Sequence, residues 1–590
     1  MSWKKFAYQF AAMSCLLALS ACAHQTPRRF PLAQPLWEDP DRNHVPTEPA
    51  EYYSGLIADG ADQMALRPLA RLAYFPLASR AANVNALDEV PNSSWFTNRI
   101  GIHPMSIDEI TKGSCVGKPL DPEGPWTVVA AKPNGANPGF FIKAADGRRY
   151  LLKFDGPQQP QRATAADIIG SRIYHAAGYF APCNQIVYFK RDVFRISPKA
   201  TTTDVYGEKH LIKKEDIETV LSMAFSLKNG LLRAAASQFL PGKPLGPFRY
   251  EGTRSDDPND IIPHQNRREL RGARLLAAWI NHADTREQNS LDVWVKDGGR
   301  NYIRHYYLDF GDSFGGRWSS DAMSRRIGHS YYFDIGHVGQ DFLTLGLLPR
   351  PWFRAKLNSE AEIFAYFSAD NFVPSKWLGG YGNPAFMEMV HDDALWMVRI
   401  ISRFTDKQLR AMVAQGKLTN PRDAEYLVRT LARRRDIIVR EYLKQYSPLA
   451  RFRLVRRTPG KKRQSLCFED LAILRKVTNA KQTLYKFRFM GGKQLDERLG
   501  WLQFSPDLDH PHRSCIALPL GTRRPADLAP AGAKPDHPLR YGVLKIFVHQ
   551  SPSVPPTSSI HLHLYDRGPE AGYVLVGIER PPKAVMPDLY

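Results

Sequence analysis

The chain has 590 residues, of which 43% are hydrophobic and 24% are charged, and its formal net charge is +21. The length predicts two or three domains, and the composition is that of a folded globular protein. Beyond the first two dozen residues no stretch is apolar and long enough to cross a bilayer, so we expect a chain that does not span a membrane. The positive charge favours anionic partners, but no nucleic-acid-binding motif accompanies it, and we expect no nucleic acid.

The first residues have the pattern of an exported lipoprotein. Two lysines precede a mostly apolar stretch over 6–19, which is too short for a permanent membrane helix. It ends in Leu-Ser-Ala followed by Cys22, the pattern that lipoprotein signal peptidase cleaves. We therefore predict a signal peptide over 1–21 and lipid, including palmitate, on Cys22, which makes the membrane a partner. The alternative is an ordinary secretory signal with an incidental cysteine.

The residue after the cysteine predicts the location. Ala23 stands where an aspartate would be expected in a lipoprotein retained at the inner membrane. By resemblance to Gram-negative sorting rules, this favours the outer membrane. We expect a lipid-anchored protein of the cell envelope, facing the periplasm or the outside.

Four cysteines remain once Cys15 and Cys22 are set aside: Cys115, Cys183, Cys467 and Cys515. An even number in an oxidising compartment permits two disulfides, and four cysteines allow three pairings. We favour one disulfide between the first two and one between the last two, because each pair would lie within or beside one proposed domain.

The predicted elements follow in chain order. Residues 22–50 are rich in proline and polar groups and predict an extended tether, and 51–124 form an N-terminal extension. Periodicity then predicts strands at 126–129, 140–143, 150–154 and 185–189, helices from 164 to 178 and over 267–280, and a helical pattern over 355–447. Asp146-Gly147 predicts a hairpin, and caps are predicted at Thr164, Gly178, Thr405 and Asn420.

Two further expectations concern the last third of the chain. Arg429, Arg433, Arg434 and Arg435 are expected on the solvated face of one helix. Strands at 483–490, 541–549, 559–565 and 572–579 predict a separate β-rich domain over 455–590, folded as a sandwich.

The informative chemistry lies between 281 and 312. Phosphoryl transfer needs a carboxylate for the proton of the acceptor hydroxyl, oxygen ligands for magnesium, and a cation for the transferred group. Asp284 suits the first role and Arg286 the third. Asn289 and Asp309 suit the second, as metal ligands.

These residues resemble the catalytic motifs of protein kinases. His282-Ala283-Asp284, with Asn289 five positions on, resembles H-R-D-x-x-x-x-N, and Asp309-Phe310-Gly311 matches D-F-G. Ala283 stands in place of the arginine, which argues against activation by a phosphorylated loop docking there.

The same resemblance assigns residues upstream. Lys153 on the third strand matches the lysine that holds phosphates, and the loop with Gly135 and Gly139 occupies the position that covers them. Asp167 is the acid in the helix where kinases have a glutamate. The order of these parts over 125–450 is that of a kinase and is closest to atypical members such as spore-coat and toxin-type kinases.

The resemblance implies an α+β fold: a two-lobed kinase-like domain with a β-rich N-lobe and a helical C-lobe, followed by the smaller β-rich domain. Residues 239–242 would form the hinge between the lobes. It also implies Mg²⁺ and ATP as cofactors.

Three functions stay open. The first is an atypical ATP-dependent kinase or nucleotidyl transferase acting on a protein or an anionic envelope polymer. The second is an inactive kinase-like scaffold that binds an envelope component, which a compartment poor in ATP favours. The third is an unrelated fold such as a hydrolase, although no H-E-x-x-H motif is present.

Overall fold

The structure is a computed structural model that describes residues 28–53, 60–67, 69, 79–132, 138–203, 208–456 and 464–581. The predicted signal peptide over 1–21, the lipid site Cys22 and the loop glycine Gly135 lie outside these residues. The described chain has a mixed α+β fold with four sheets. In this part of the chain no helix has the length and apolar character needed to cross a bilayer.

A seven-stranded sheet forms the first lobe. Its strands are β1 Trp126–Ala131, β2 Gly139–Ala144, β3 Arg149–Lys153, β4 Asn184–Phe189, β5 Phe194–Thr203, β6 Lys209–Leu211 and β7 Leu232–Gln238. The order is β4-β7-β3-β2-β1-β5-β6, with β1 and β5 parallel. Alternate residues of β1 to β3, such as Val128, Ile142 and Leu152, are buried in one core, as a period of two requires.

Three helices accompany this sheet: α1 Ile107–Lys112, α2 Arg162–Ala177 and α3 Lys214–Ser222. Helix α2 is buried along almost its whole length and ends at Gly178, as predicted. It begins before Thr164, so the predicted cap there is wrong. The Thr164 hydroxyl instead donates to the buried Asp155 carboxylate at 2.6 Å. The predicted disulfide between Cys115 and Cys183 is confirmed.

The second lobe combines a small sheet with most of the helices. Strands β8 Lys243–Gly246, β9 Ser290–Asp297 and β10 Arg300–Tyr307 form a sheet in the order β10-β9-β8. The helices are α4 Arg268–Ile280, α5 Asp321–Arg326, α6 Ile335–Thr344, α7 Pro384–Met387, α8 His391–Ile401, α9 Asp406–Gln415 and α10 Pro421–Leu443. Thr405 and Asn420 cap α9 and α10 as predicted.

The helical prediction over 355–447 is wrong for 355–383. That stretch contains short 3-10 turns between loops, and the first α-helix of the range begins at Pro384. Pro374 and the pair Gly379 and Gly380 interrupt the apolar pattern there. Both residue types oppose a continuous helix.

The arginines of α10 fall into two classes. Arg429 and Arg433 are exposed and pair with surface carboxylates, as expected. Arg434 and Arg435 are buried and donate to backbone carbonyls, so the prediction of a solvated face is wrong for these two. Arg429 and Arg433 are four positions apart and therefore share one face of the helix. Each further residue is rotated by about 100° around the helix axis, so Arg434 and Arg435 lie on other faces.

The C-terminal residues form the predicted sandwich. Its strands are β11 Leu449–Arg456, β12 Gln464–Asp470, β13 Leu484–Gly491, β14 Glu497–Phe504, β15 Arg513–Leu518, β16 Tyr541–His549, β17 Ile560–Asp566 and β18 Tyr573–Glu579, with the short helix α11 Leu471–Leu474. The sheets β11-β12-β15 and β14-β13-β16-β17-β18 share one apolar core. Cys467 and Cys515 are opposite each other on β12 and β15 and form the second predicted disulfide.

The prediction of an extended tether over 22–50 is wrong for residues 28–50, which pack along the folded body. Phe30 is buried against the sandwich, and its N–H donates to the Tyr541 hydroxyl at 3.0 Å. Val45 is also buried, and its N–H donates to the carbonyl of Asn301 on β10 at 2.7 Å. Between its prolines this segment carries apolar anchors, and their burial outweighs its tendency to stay extended in solvent.

One buried carboxylate joins three parts of the molecule. Asp88 pairs with Arg268 of α4 at 2.6 Å, Arg399 of α8 at 3.1 Å and Arg580 after β18 at 3.0 Å. Burial alone would raise the pKa of Asp88, but the three guanidinium groups outweigh burial and hold that pKa well below its ordinary value. We call Asp88 and these three arginines the Asp88 hub.

Candidate active site

The charged and polar residues predicted for the site lie close together where the two lobes meet, in the region that we call the cleft. Lys153 ends β3, and its ammonium lies 3.0 Å from Asp167 of α2 and 2.9 Å from Asp309, which follows β10. Burial alone would lower the pKa of Lys153, but the two carboxylates outweigh burial and raise it. The lysine is therefore held charged at the back of the cleft.

A glycine explains why an aspartate can replace the usual glutamate on α2. A Cβ at Gly170 would lie 2.5 Å from the Cβ of Phe310, so only glycine lets the helix approach the Asp-Phe-Gly segment this closely. The Phe310 N–H donates to Asp167 at 3.0 Å across this contact. At that approach the shorter side chain reaches Lys153.

The Asp-Phe-Gly segment is held in a specific shape. Asp309 has a φ of 48°, in the left-handed region that aspartate adopts more readily than most other non-glycine residues. The buried Arg162 fixes the following turn by donating to the carbonyls of Gly311 at 2.7 Å and Ser313 at 2.8 Å. This arrangement leaves 38% of the Asp309 side chain exposed to the cleft.

Asp284 is positioned by its neighbours on the loop between α4 and β9. Its N–H donates to the Asp312 carboxylate at 2.7 Å, and the Asn289 side chain donates to its carbonyl at 2.6 Å. The Arg286 Nε lies 3.1 Å from its carboxylate. Burial raises the pKa of Asp284 to about 6, opposed by Arg286 and assisted by the like charge of Asp312.

Asp312 is a functional candidate that the sequence reading did not assign. Burial raises its pKa to about 7, and its carboxylate lies 3.4 Å from the Nε2 of His282. Burial lowers the pKa of His282 to about 4, so this imidazole is neutral at pH 7. In the sequence, Asp312 is a second carboxylate three residues after Asp309. An aspartate at that position is equally typical of a turn.

Lys132 is a second residue that the sequence reading missed. It follows β1, and burial lowers its pKa, which the nearby Asp309 carboxylate partly restores. Lys132 in turn helps to lower the pKa of Asp309. Lys132 is therefore a second cation close to Lys153. In the sequence it is no more than a lysine after a predicted strand.

Gly139 has a structural reason to be glycine. It begins β2 opposite Lys153, and a Cβ there would lie 2.1 Å from the carbonyl oxygen of Leu152. Close packing of β2 on β3 therefore requires glycine. A phosphate-binding role for Gly139 stays a prediction, and its partner Gly135 lies outside the described residues.

The donor set suits a metal shared with phosphate. Among the described residues no group of three or more His, Cys, Asp or Glu could hold a metal by itself. Mg²⁺ at phosphoryl-transfer sites is usually held by one or two side chains together with phosphate oxygens. Asp309 offers an exposed carboxylate. The Asn289 side-chain nitrogen donates to the Asp284 carbonyl, which leaves the Asn289 side-chain oxygen as a metal ligand.

An apolar cavity of about 490 Å³ lies at the junction of the lobes. Its lining includes Phe141, Leu151, Phe239, Leu240, Gly242, Leu291, Val293 and Leu308. Residues 239–242, between β7 and β8, form one wall, where the hinge was predicted. Leu151 shares a strand face with Lys153, and Leu308 precedes Asp309, so the cavity adjoins the charged residues.

Comparison with known proteins adds little at the level of sequence. No protein-family model matches the chain, and no curated protein matches its sequence. A solved structure of the Golgi casein kinase is similar with 10% identity and a TM-score of 0.27, over 54% of this chain and 73% of that chain. A second structure of that kinase, with Mn and ADP bound, is similar with the same two values over 56% and 75%.

A TM-score of 0.27 carries no weight by itself. The two-lobed α+β arrangement rests on this chain's own contacts. A strand lysine pairs with an acid on the next helix, residues 239–242 connect the sheets of the two lobes, and the Asp-Phe-Gly segment contacts the same lysine.

Proposed function

We propose that the chain is an ATP-dependent phosphotransferase that works with a divalent cation. The observation that carries this proposal is the position of Lys153, held between Asp167 and Asp309 beside an apolar cavity. A buried cation next to an apolar pocket suits a ligand with a flat apolar base and a polyanionic tail.

Each residue has a defined task in this proposal. The cavity binds the base of the nucleotide, and Lys153 and Lys132 face its phosphates. Asp309 and Asn289 hold the divalent cation, which when bound neutralises phosphate charge. Asp284 accepts the proton of the acceptor hydroxyl as that oxygen bonds to the terminal phosphorus and the nucleoside diphosphate leaves.

The position of Arg286 changes its expected task. Its guanidinium pairs with Asp284 and lies over the ring of Tyr381 at 5.7 Å. In this arrangement Arg286 orients the Asp284 carboxylate, which is the proton acceptor, and lowers the pKa of Asp284. Neutralising the transferred group, the role given to Arg286 by the sequence, then falls mainly to the two lysines.

Ligand-induced stabilisation tests the proposal. The chain beginning at residue 23, which keeps every described residue, is heated with ATP, Mg²⁺ or Mn²⁺, both together, or neither. ATP and metal together should raise Tm, since ligand at 100 times Kd adds about 2.7 kcal/mol of stability. Asp309→Ala should lose the shift, and Asp370→Ala, which removes an exposed carboxylate paired with Arg433, should keep it. No shift in the wild type, with Asp309→Ala behaving identically, would refute the proposal.

One observation favours the scaffold alternative. One oxygen of the Asp284 carboxylate already lies 3.1 Å from Arg286, and this pairing makes Asp284 a weaker base for an acceptor hydroxyl. A scaffold would show the thermal shift without consuming ATP. Measuring ADP release over several hours with candidate envelope proteins and polymers as acceptors separates the two.

We also propose that Cys22 is lipidated and places the protein at the outer membrane. The support is the sequence pattern before Cys22 and Ala23 after it. Phe30 is fixed on the sandwich, and a fully extended chain from residue 22 to residue 30 spans at most about 29 Å. The lipid would therefore lie within that distance of Phe30. Palmitate labelling should disappear in Cys22→Ser, and Ala23→Asp should move the protein to the inner membrane on fractionation.

A further inference from the structure

A ridge of apolar side chains stands on the surface of the second lobe. We define the apolar ridge as Phe333, Val338, Phe342, Leu343, Leu345, Leu347 and Leu348. The side chains of Phe342, Leu343, Leu345 and Leu347 are 82 to 87% exposed, and no residue of α6 is buried. Seven exposed apolar residues within 333–348 point to an interaction site, unlike single exposed apolar residues.

An ordered element displays the ridge. Asp334 caps α6 by accepting from the His337 N–H at 3.0 Å. The buried Arg350 then clamps the returning chain to the helix, donating to the Gln340 side chain at 2.6 Å and to the His337 carbonyl at 2.9 Å. Phe342 and Leu343 are thus displayed by a capped helix, and Leu345, Leu347 and Leu348 by the chain that Arg350 holds against it.

Unpaired basic side chains border the ridge. Arg354 and Lys356 follow it in the chain and are exposed, and Lys376 is exposed nearby. Within the described residues none of the three pairs with a carboxylate. Arg354 also lines two adjoining cavities of about 550 and 540 Å³, the first shared with Lys376 and the second with Lys356.

We propose that the segment 333–357 docks on an anionic membrane surface, with α6 lying in the interface. An apolar helix face beside unpaired cations is the arrangement that inserts between acyl chains and binds anionic headgroups. The positive charge of the whole chain acts in the same direction. The proposal depends neither on the lipid at Cys22 nor on activity in the cleft.

Docking there would orient the cleft. Tyr332 directly precedes the ridge, and its ring packs 5.1 Å from that of Tyr381, the residue beneath Arg286. The ridge is therefore connected through two rings to the side of the cleft that holds Asp284. An acceptor at the membrane surface would meet that side.

Vesicle flotation of the unlipidated chain beginning at residue 23 tests the proposal. The probes are vesicles of phosphatidylglycerol with phosphatidylethanolamine, and vesicles of phosphatidylcholine alone. The wild type should float with the anionic vesicles. Phe342→Ser with Leu347→Ser should weaken binding about tenfold for each side chain removed from the acyl region. Arg354→Gln with Lys356→Gln should weaken binding to anionic vesicles severalfold and leave binding to phosphatidylcholine unchanged.

A matched control is Ile261→Ser, since Ile261 is 77% exposed outside the ridge, and this variant should float like the wild type. Far-ultraviolet circular dichroism and Tm confirm that each variant is folded. The proposal fails if the wild type does not float with anionic vesicles, or if the ridge variant floats equally well. It also fails if light scattering shows a wild-type dimer that the ridge variant abolishes while neither binds vesicles, because the ridge is then an interface between two copies.

Discussion

The molecule contains a buried acid, Asp88, and a partly buried pair of acids, Asp284 and Asp312, whose charges are balanced in different ways. In the Asp88 hub one carboxylate meets three arginines, and its pKa is held low. In the cleft, Asp284 and Asp312 lie close together with one arginine on the former, and their pKa values rise to about 6 and 7. The hub has surplus positive charge, and this part of the cleft has surplus negative charge.

The contrast separates a structural role from a chemical one. A carboxylate saturated by arginines joins segments and has no proton to exchange near neutral pH. Carboxylates whose pKa values lie near 7 can exchange protons, and such groups cluster at functional sites. The linkage to stability also has opposite signs. The hub stabilises the fold at neutral pH and loses this on acidification, whereas Asp312 stabilises it at low pH and loses this as pH rises toward 7.

Breaking the hub should produce the largest effect. Asp88→Ala leaves three buried guanidinium groups without their common carboxylate, and we expect a loss of about 3 to 5 kcal/mol in the free energy of unfolding. Urea denaturation followed by circular dichroism measures it. A loss under 1 kcal/mol would show that the arginines find other partners.

Removing the base should affect rate without affecting stability. Asp284→Asn keeps the size of the side chain and relieves like-charge repulsion, and we expect kcat for phosphate transfer to fall by about 10² to 10⁴. The same variant should unfold at the wild-type urea concentration. A stability loss comparable to that of Asp88→Ala would mean that Asp284 is structural.

The pH dependence of the rate should report the pair of acids in the cleft. Asp284 acts as a base when ionised, so kcat should rise with pH and level off above its pKa of about 6. Asp284 and Asp312 titrate in the same pH range and repel each other once both are ionised, so in Asp312→Asn the upper part of the rising limb should move to lower pH. An unchanged midpoint in Asp312→Asn would contradict the coupling between the two carboxylates.

The smallest effect is expected on the surface. Arg433→Gln removes an exposed ion pair with Asp370 and should cost about 0 to 1 kcal/mol. It is the matched control for the hub, because both changes break an arginine–aspartate contact. A loss above 2 kcal/mol in the free energy of unfolding, measured by the same urea denaturation, would mean that solvent exposure does not explain the difference between this ion pair and the Asp88 hub.

The sequence predicted the parts of the fold that follow from local patterns. Strands such as 150–154, the caps at Thr405 and Asn420, both disulfides and the sandwich agree with the structure. In the cleft, order along the chain was enough to select Lys153, Asp167 and Asp309 as contacting residues.

What the sequence could not predict depends on tertiary contacts. The burial of Arg434 follows from carbonyls of α4 that are distant in the chain, and the packing of 28–50 needs both the sandwich and β10 to be in place. Lys132 joined the site because packing brings the end of β1 into electrostatic range of Asp309, and Asp312 joined it because the turn after Asp309 accepts a hydrogen bond from Asp284. No spacing in the sequence encodes these contacts.

A crystal structure of the chain with Mg²⁺ and a non-hydrolysable ATP analogue tests the central claim most directly. We expect the nucleotide base in the cavity bounded by Leu151 and Leu308, the phosphates within hydrogen-bonding distance of Lys153, and a metal on Asp309. The analogue bound elsewhere, or a cleft without it at saturating concentration, would contradict the proposed function.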